Sequence, residues 1–331
     1  MDPRIVAIGA RAEAGTGCTE EEALFLASPH AEFETVLYWA NRVRRRFHGM
    51  EVGLCAIVNA RSGRCSENCR YCAQSSHYPT EAEVYPLLSA QTIIKHAEQA
   101  RAMGAGCFGI VTSGATVQGK DLDAVCEAIH HITHAMQYRC SASFGRMSDA
   151  DFKKLKDAGL PVYHHNLETS RRFYPSICTT HDYEERIDTV RRAQAAGLAI
   201  CCGGLMGLGE GWEDRVSLAA ACRELGSQSV PLNFLHPAQG TPLEHQEPLS
   251  PRDILRTIAI FRMMLPSASL RFCGGRERNL REMQSWIFHA GANAMMIGNY
   301  LTTKGRNLQH DHQLVADAGM QWGQCHCGTA C

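Results

Sequence analysis

Eight short β-rich runs alternate with amphipathic stretches along most of this chain, at 52–59, 107–112, 138–144, 162–167, 198–202, 229–234, 269–273 and 294–297. The stretches at 90–103, 121–135, 148–158, 182–196, 214–225, 251–264 and 278–290 read as helices. Parallel neighbours in a sheet need a crossover between them, so this alternation predicts a parallel α/β architecture. Eight strand–helix pairs with no domain break predict a closed (β/α)8 TIM-type barrel, and 331 residues suit one barrel with extensions. The expected division is an N-terminal helical extension at 1–50 (helices at 20–27 and 32–48), a barrel at 51–303, and a C-terminal extension at 304–331 ending in a cysteine-rich tail. Ser148-Asp149-Ala150-Asp151 reads as a capping box, and Gly159 and Gly197 stand where helices should stop.

Sites in such a barrel gather at the C-terminal ends of the strands. Directly after the first strand stand Cys65, Cys69 and Cys72, spaced C-x3-C-x2-C, with Tyr71 before the last. Three thiolates can hold three corners of a 4Fe–4S cluster and leave the fourth iron open to a small molecule. Taken alone, the triplet also allows half a zinc site or a chance cluster. The 16 cysteines sit in a chain with no apolar run long enough to span a membrane and no signal-peptide core at its start. A cytoplasmic protein is therefore expected, in which thiols serve metal chemistry more readily than disulfides. Apolar residues make up 45% and charged residues 20%, enough for a large core. A net charge of −1 provides no basic footprint, so neither nucleic acid nor a membrane surface is an expected partner.

Strand side chains alternate between the barrel lumen and the helix layer. Placing Leu54, Ala56, Val58, Phe108, Ile110, Ile200, Cys202, Leu270 and Phe272 against helices turns Cys55, Cys107, Cys201 and Cys273 inward, beside Arg271. The same parity turns Ile57, Asn59, Gly109, Ser141, His164, Asn166, Glu168, Ser229 and Asn233 inward. Apolar lumens are the default in this fold, so a polar lumen argues for a ligand. A single buried cysteine is more often packing, which is the reading for Cys126, Cys140 and Cys202, while Cys18, Cys178 and Cys222 carry no usable pattern.

The triplet spacing resembles the signature of the radical S-adenosylmethionine (SAM) enzymes, and the wider chain resembles their biotin synthase family over about residues 30–305. The likeness rests on Cys72-Ala73-Gln74-Ser75-Ser76-His77-Tyr78, on Tyr163-His164-His165-Asn166-Leu167-Glu168-Thr169-Ser170, and on Cys201-Cys202-Gly203-Gly204 running to Gly209-Glu210. It rests also on Val230-Pro231-Leu232-Asn233 with Gly240-Thr241-Pro242-Leu243, on Leu270-Arg271-Phe272-Cys273-Gly274-Gly275-Arg276-Glu277, and on Ala290-Gly291-Ala292-Asn293. The resemblance implies an enzyme that uses a 4Fe–4S cluster to cleave SAM into methionine and a 5′-deoxyadenosyl radical. That radical takes hydrogen from dethiobiotin, and an auxiliary iron–sulfur cluster supplies the sulfur that makes biotin. It implies Cys65, Cys69 and Cys72 as cluster ligands and Tyr71, Asn166, Glu168, Gly209 and Glu210 as SAM contacts. Asn166 and Asn233 would contact substrate, and Glu168 stands where the family usually has aspartate. A flavodoxin- or ferredoxin-type reductant and a homodimer are also implied.

One departure from the family pattern stands out. The better-known family members hold a 2Fe–2S auxiliary cluster with cysteines on strands two, three and five and an arginine on strand seven. Here Gly109 and Ser141 occupy the first two positions, and only Cys201 and Arg271 remain. Cys55, Cys107, Cys201 and Cys273 would instead suit a four-iron auxiliary cluster, with Arg271 offsetting its charge. Cys325, Cys327 and Cys331 in the tail are alternative ligands; the tail can also be read as a redox or metal-delivery segment, or as an end without direct role. Competing functional readings are a related radical SAM enzyme of the hydrogenase-cofactor or methylornithine type and a non-catalytic iron–sulfur scaffold.

Overall fold

The structure is a computed structural model that describes residues 2–323; Cys325, Cys327 and Cys331 lie outside the described residues. Its strands are β1 (Glu51–Arg61), β2 (Cys107–Thr112), β3 (Cys140–Ser143), β4 (Val162–His164), β5 (Ala199–Cys201), β6 (Gly204–Met206), β7 (Ser229–Phe234), β8 (Ser269–Phe272), β9 (Ala294–Met296) and β10 (Gln321–Gly323). The helices are α1 (Pro3–Glu13), α2 (Glu20–Ala27), α3 (Phe33–His48), α4 (Ala90–Ala102), α5 (Gly119–His130), α6 (Asp149–Asp157), α7 (Tyr183–Ala195), α8 (Trp212–Glu224), α9 (Pro251–Met264), α10 (Arg276–Leu280), α11 (Trp286–His289) and α12 (Leu308–Asp317).

All strand pairs run parallel, and β9 returns to β1 through Gly53↔Ala294, Leu54↔Met295 and Cys55↔Met296, which closes the barrel. The fifth barrel strand is split. Its first half, β5, meets β7 at Cys201↔Ser229, while β6 pairs with β7 at Gly204↔Leu232. Between the halves the backbone of Gly203 approaches so closely that a Cβ there would stand 2.1 Å from the Pro231 carbonyl oxygen. Only glycine permits that contact.

Local signals set several boundaries as the sequence reading has them. Ser148 and Asp151 form a reciprocal capping box at the start of α6. Gly159 and Gly197 end α6 and α7 with φ of +92° and +78°. The expected helix at 278–290 is broken. Arg281 has φ +50°, and the segment divides into α10, a 3-10 turn and α11. Inward-facing polar side chains draw it onto the barrel instead: Asn279 donates to the Leu235 carbonyl at 3.0 Å and Arg276 to Asp311 at 2.6 Å. At the N-terminus α1 adds a helix to the two expected, capped by Asp2 with Pro3 in its first turn. α3 packs on α9 and α11, outside the barrel. The expected polar extension after 303 contains α12 and β10.

Candidate active site

The loop leaving β1 is built before it meets any ligand. Gln74 is its hub, its side-chain oxygen accepting from Asn59 at 3.1 Å, from Ser62 at 3.1 Å and from the Gly63 amide at 3.3 Å. The Cys65 amide donates to the Gln74 carbonyl and the Ser76 amide to the Cys65 carbonyl, closing the loop on itself. A second anchor crosses to the segment after β4. The Asn68 carboxamide oxygen accepts from the Thr179 and Thr180 amides at 2.9 and 3.2 Å, and the Arg70 amide donates to the Ile177 carbonyl at 2.9 Å.

Cys65, Cys69 and Cys72 line a cavity of about 410 Å³ at the barrel mouth. Tyr71, His164, His165, Asn166, Glu168, Asn233 and Cys273 share its wall. Burial pushes the Cys72 thiol up to about 11 and the Tyr71 phenol well above its usual range. His165 Nε2 and Thr112 Oγ1, both in the lining, are buried without a hydrogen-bond partner. Unmade bonds of this kind cost about 1–3 kcal/mol each unless a ligand or water makes them. Three thiols on one loop, an aromatic ring beside them and two orphaned polar atoms fit an iron–sulfur cluster with a polar small molecule against it.

Charge on the far wall is arranged in pairs. Burial disfavours the charge of Arg186, yet Glu168, 3.6 Å away, and the ring of Tyr174 hold it protonated well above the usual range. Arg186 also donates to the Asn166 carbonyl at 2.9 Å, tying α7 to the end of β4. Asn166 receives the Gly203 amide on its side-chain oxygen at 3.2 Å and lies 3.0 Å from His164 Nε2.

Glu210 and Asn233, both expected to contact a ligand, have protein partners of their own. Gly209 and Glu210 are not in the cavity wall; the Glu210 carboxylate accepts from the Gly207 and Leu208 amides and from Arg215 at 2.7 Å. Three donors and full burial fold that carboxylate into its own loop, so it supports the turn after β6 from behind. Asn233 does line the cavity, but its amide is already engaged. It donates to the Gly204 carbonyl at 3.1 Å and accepts from the Gly274 amide at 3.0 Å, clamping β6 and the loop after β8 to β7. One N–H and one lone pair remain for a ligand.

The lumen cysteines separate from the rest. Among the described residues, every other buried cysteine packs in the main apolar core, whereas Cys55 and Cys107 form a small cluster of their own and Cys201 and Cys273 belong to neither. Cys55 and Cys107 are register partners, Cys201 Sγ lies 3.4 Å from Ser229 Oγ, and Cys273 reaches the mouth cavity. A Cβ added at Gly109 would lie 3.3 Å from Ser141 Oγ, so these two thiol-free positions face each other.

Sequence reasoning passed over Cys178 and His181. The Cys178 sulfur is 3.7 Å from Cys69 Sγ and 3.5 Å from His181 Nε2. The contact between the two sulfurs shifts the thiols in opposite directions: the hydrogen bond from Cys69 takes Cys178 down to about 3, and the same bond with burial drives Cys69 far up. No periodicity marks a pair 109 residues apart; the available signal was a cysteine and a histidine three residues apart in the run after strand four.

An eight-stranded parallel barrel with a three-cysteine loop at its mouth defines a class, and the chain matches it. Residues 60–222 match the Radical SAM superfamily model and residues 231–321 the Biotin and Thiamin Synthesis associated domain. The sequence is 49% identical to a biotin synthase of Pelobacter propionicus over 97% of this chain and 98% of that one. It is 47% identical to a biotin synthase of Geobacter metallireducens, over 98% and 99%. The chain belongs to the biotin synthase family. In fold it is similar to methylornithine synthase (TM-score 0.83, 18% identity, 96% of this chain and 97% of that). It is also similar to the hydrogenase maturase HydG of Carboxydothermus hydrogenoformans (TM-score 0.83, 20% identity, 98% and 80%).

Proposed function

We propose that this chain converts dethiobiotin to biotin by radical SAM sulfur insertion. The observation that carries the reading is one cavity whose wall joins the three loop cysteines and Tyr71 to Asn166, Glu168, Asn233 and Cys273. Bound there, a 4Fe–4S cluster supplies the electron that cleaves SAM, and an auxiliary iron–sulfur cluster supplies the sulfur. Cys65, Cys69 and Cys72 would hold the first cluster, with SAM bound against it. Tyr71 flanks the adenine, while Glu168 and the side-chain amide of Asn166 meet the ribose, with Arg186 fixing the Glu168 carboxylate. Asn166 and the remaining N–H of Asn233 orient dethiobiotin toward the lumen. With cluster, SAM and substrate filling the cavity, little room would be left there for water beside a reactive carbon centre.

Cys55, Cys107, Cys201 and Cys273 are the ligands proposed for the auxiliary cluster, as a four-iron type, with Arg271 beside it. In support, these four are the buried cysteines that stand apart from the helix-layer core. No helix of the described residues is long and apolar enough to cross a membrane. A cytoplasmic setting, a flavodoxin- or ferredoxin-type reductant and a homodimer complete the reading. Anaerobic reconstitution with iron and sulfide, followed by reduction with SAM and dethiobiotin present, tests it. Biotin and 5′-deoxyadenosine should both appear; SAM cleavage without biotin would leave a radical SAM enzyme of another reaction.

A further inference from the structure

Among the described residues, one group of metal-ligating side chains brings three donor atoms within 4.8 Å of one another: Cys69, Cys178 and His181. Only Cys69 belongs to the radical-cluster triplet. The distances are 3.7 Å between the sulfurs, 3.5 Å from Cys178 to His181 Nε2 and 4.0 Å from Cys69 to the same nitrogen. A tetrahedral ion with metal–sulfur bonds of about 2.3 Å and metal–nitrogen bonds of about 2.0–2.1 Å holds two sulfurs about 3.8 Å apart and a sulfur and a nitrogen about 3.6 Å apart. Two of the three spacings match that figure closely, and the third needs a few tenths of an ångström.

The surroundings suit an ion as well as the spacings do. Both sulfurs are buried, Cys69 at 8% and Cys178 at 3% exposure. The Tyr174 hydroxyl lies 2.8 Å from His181 Nδ1 and can accept its proton, the tautomer that a metal-bound Nε2 requires. Glu67 Oε2, 3.5 Å from Nε2, adds negative charge beside the site. Asn68 grips Thr179 and Thr180, so the loop carrying Cys69 and the segment carrying Cys178 are joined whether or not an ion is present.

We infer that Cys69, Cys178 and His181 form a site for a single divalent transition-metal ion, ferrous iron or zinc, in the cluster-free chain, with water as fourth ligand. Binding takes the sulfurs as thiolates, and any thiol proton still present leaves to solvent. Because Cys69 is shared, the ion and the radical cluster exclude each other, and the site holds one metal until the cluster takes the cysteine. The exclusion, though not the site, rests on Cys69 being a cluster ligand.

The probe is Co2+, added anaerobically to the full-length chain freed of iron and sulfide, with Cys325, Cys327 and Cys331 changed to serine. About one ion per chain should bind, with thiolate-to-cobalt charge transfer and tetrahedral d–d bands. Cys178→Ser and His181→Asn should each weaken binding at least about 10-fold, and Cys69→Ala should do the same. The double change Cys65→Ala with Cys72→Ala should leave it unaltered. Circular dichroism of each variant separates lost binding from lost fold, and His181→Asn carries the test should Cys178→Ser not fold. Cobalt binding that follows Cys65 and Cys72 but ignores Cys178 and His181 overturns the site and leaves the cluster assignment standing. A cobalt spectrum that persists at full strength after the radical cluster is rebuilt overturns the exclusion and, with it, Cys69 as a cluster ligand.

Discussion

Glu168 sits in a left-handed backbone conformation, φ +70°, and its carboxylate lies 3.6 Å from the Arg186 guanidinium across the cavity wall. A glutamate in that region is strained unless its surroundings fix it. Here they do: the Glu168 carbonyl accepts the Leu205 amide at 2.7 Å, joining the segment after β4 to β6, while Arg186 holds the side chain. Arg186→Met should remove about 1–3 kcal/mol of stability by leaving a half-buried carboxylate without its partner, read from urea unfolding. A loss under about 1 kcal/mol would mean that water, not Arg186, satisfies Glu168.

Acid should destabilise the barrel through His165. Burial, followed by the neighbouring Arg186, pushes this imidazole well below its ordinary value of 6.5. The unfolded chain therefore binds the proton first, and stability falls as pH drops below about 6.5, by about 1.4 kcal/mol at pH 5.5. Unfolding titrations from pH 8 to 5 should show this slope in the parent and a shallower one in His165→Asn. Parallel slopes would remove His165 as the cause.

Asn233→Leu should act on stability first. It strands the Gly204 carbonyl and the Gly274 amide, at about 1–3 kcal/mol each, so thermal stability should drop before any ligand is added. Calorimetry with dethiobiotin and with SAM should then show both affinities reduced, the first more. An unchanged melting temperature would show that water replaces the clamp.

How far these features were legible depends on their range. Period-two alternation was enough to turn Cys55, Cys107, Cys201 and Cys273 away from the helix layer, because strand parity is local. The caps of α6 and α7 were legible for the same reason. Cys178 and His181 acquire their significance only when the segment after β4 folds against the loop after β1, which no short window records. The partners of the Glu210 carboxylate, the amides of its own turn and Arg215, were likewise beyond what a glycine-rich run records.

Asp311 should anchor α12 to the barrel. It is fully buried and receives Arg276 at 2.6 Å, itself 1% exposed. Asp311→Ala takes away the nearer of the two carboxylates on that guanidinium, leaving Glu277 at 3.4 Å, and should cost about 1–3 kcal/mol. Hydrogen exchange should show amides across 308–317 opening sooner than those of β2 and β3. Uniform acceleration over the whole chain would instead mean that α12 unfolds only together with the barrel.

β10 pairs with the very start of β1, Glu51 opposite Gln321 and Gly53 opposite Gly323. On the ribosome, the first strand of the sheet must therefore wait for some 270 further residues before this edge is covered. Until then Val52 and its neighbours offer open backbone to any extended peptide. A nascent chain halted before residue 321 would emerge with its barrel able to close yet still carrying one adhesive margin, so interrupted synthesis is the point at which this protein should be most prone to stick to itself.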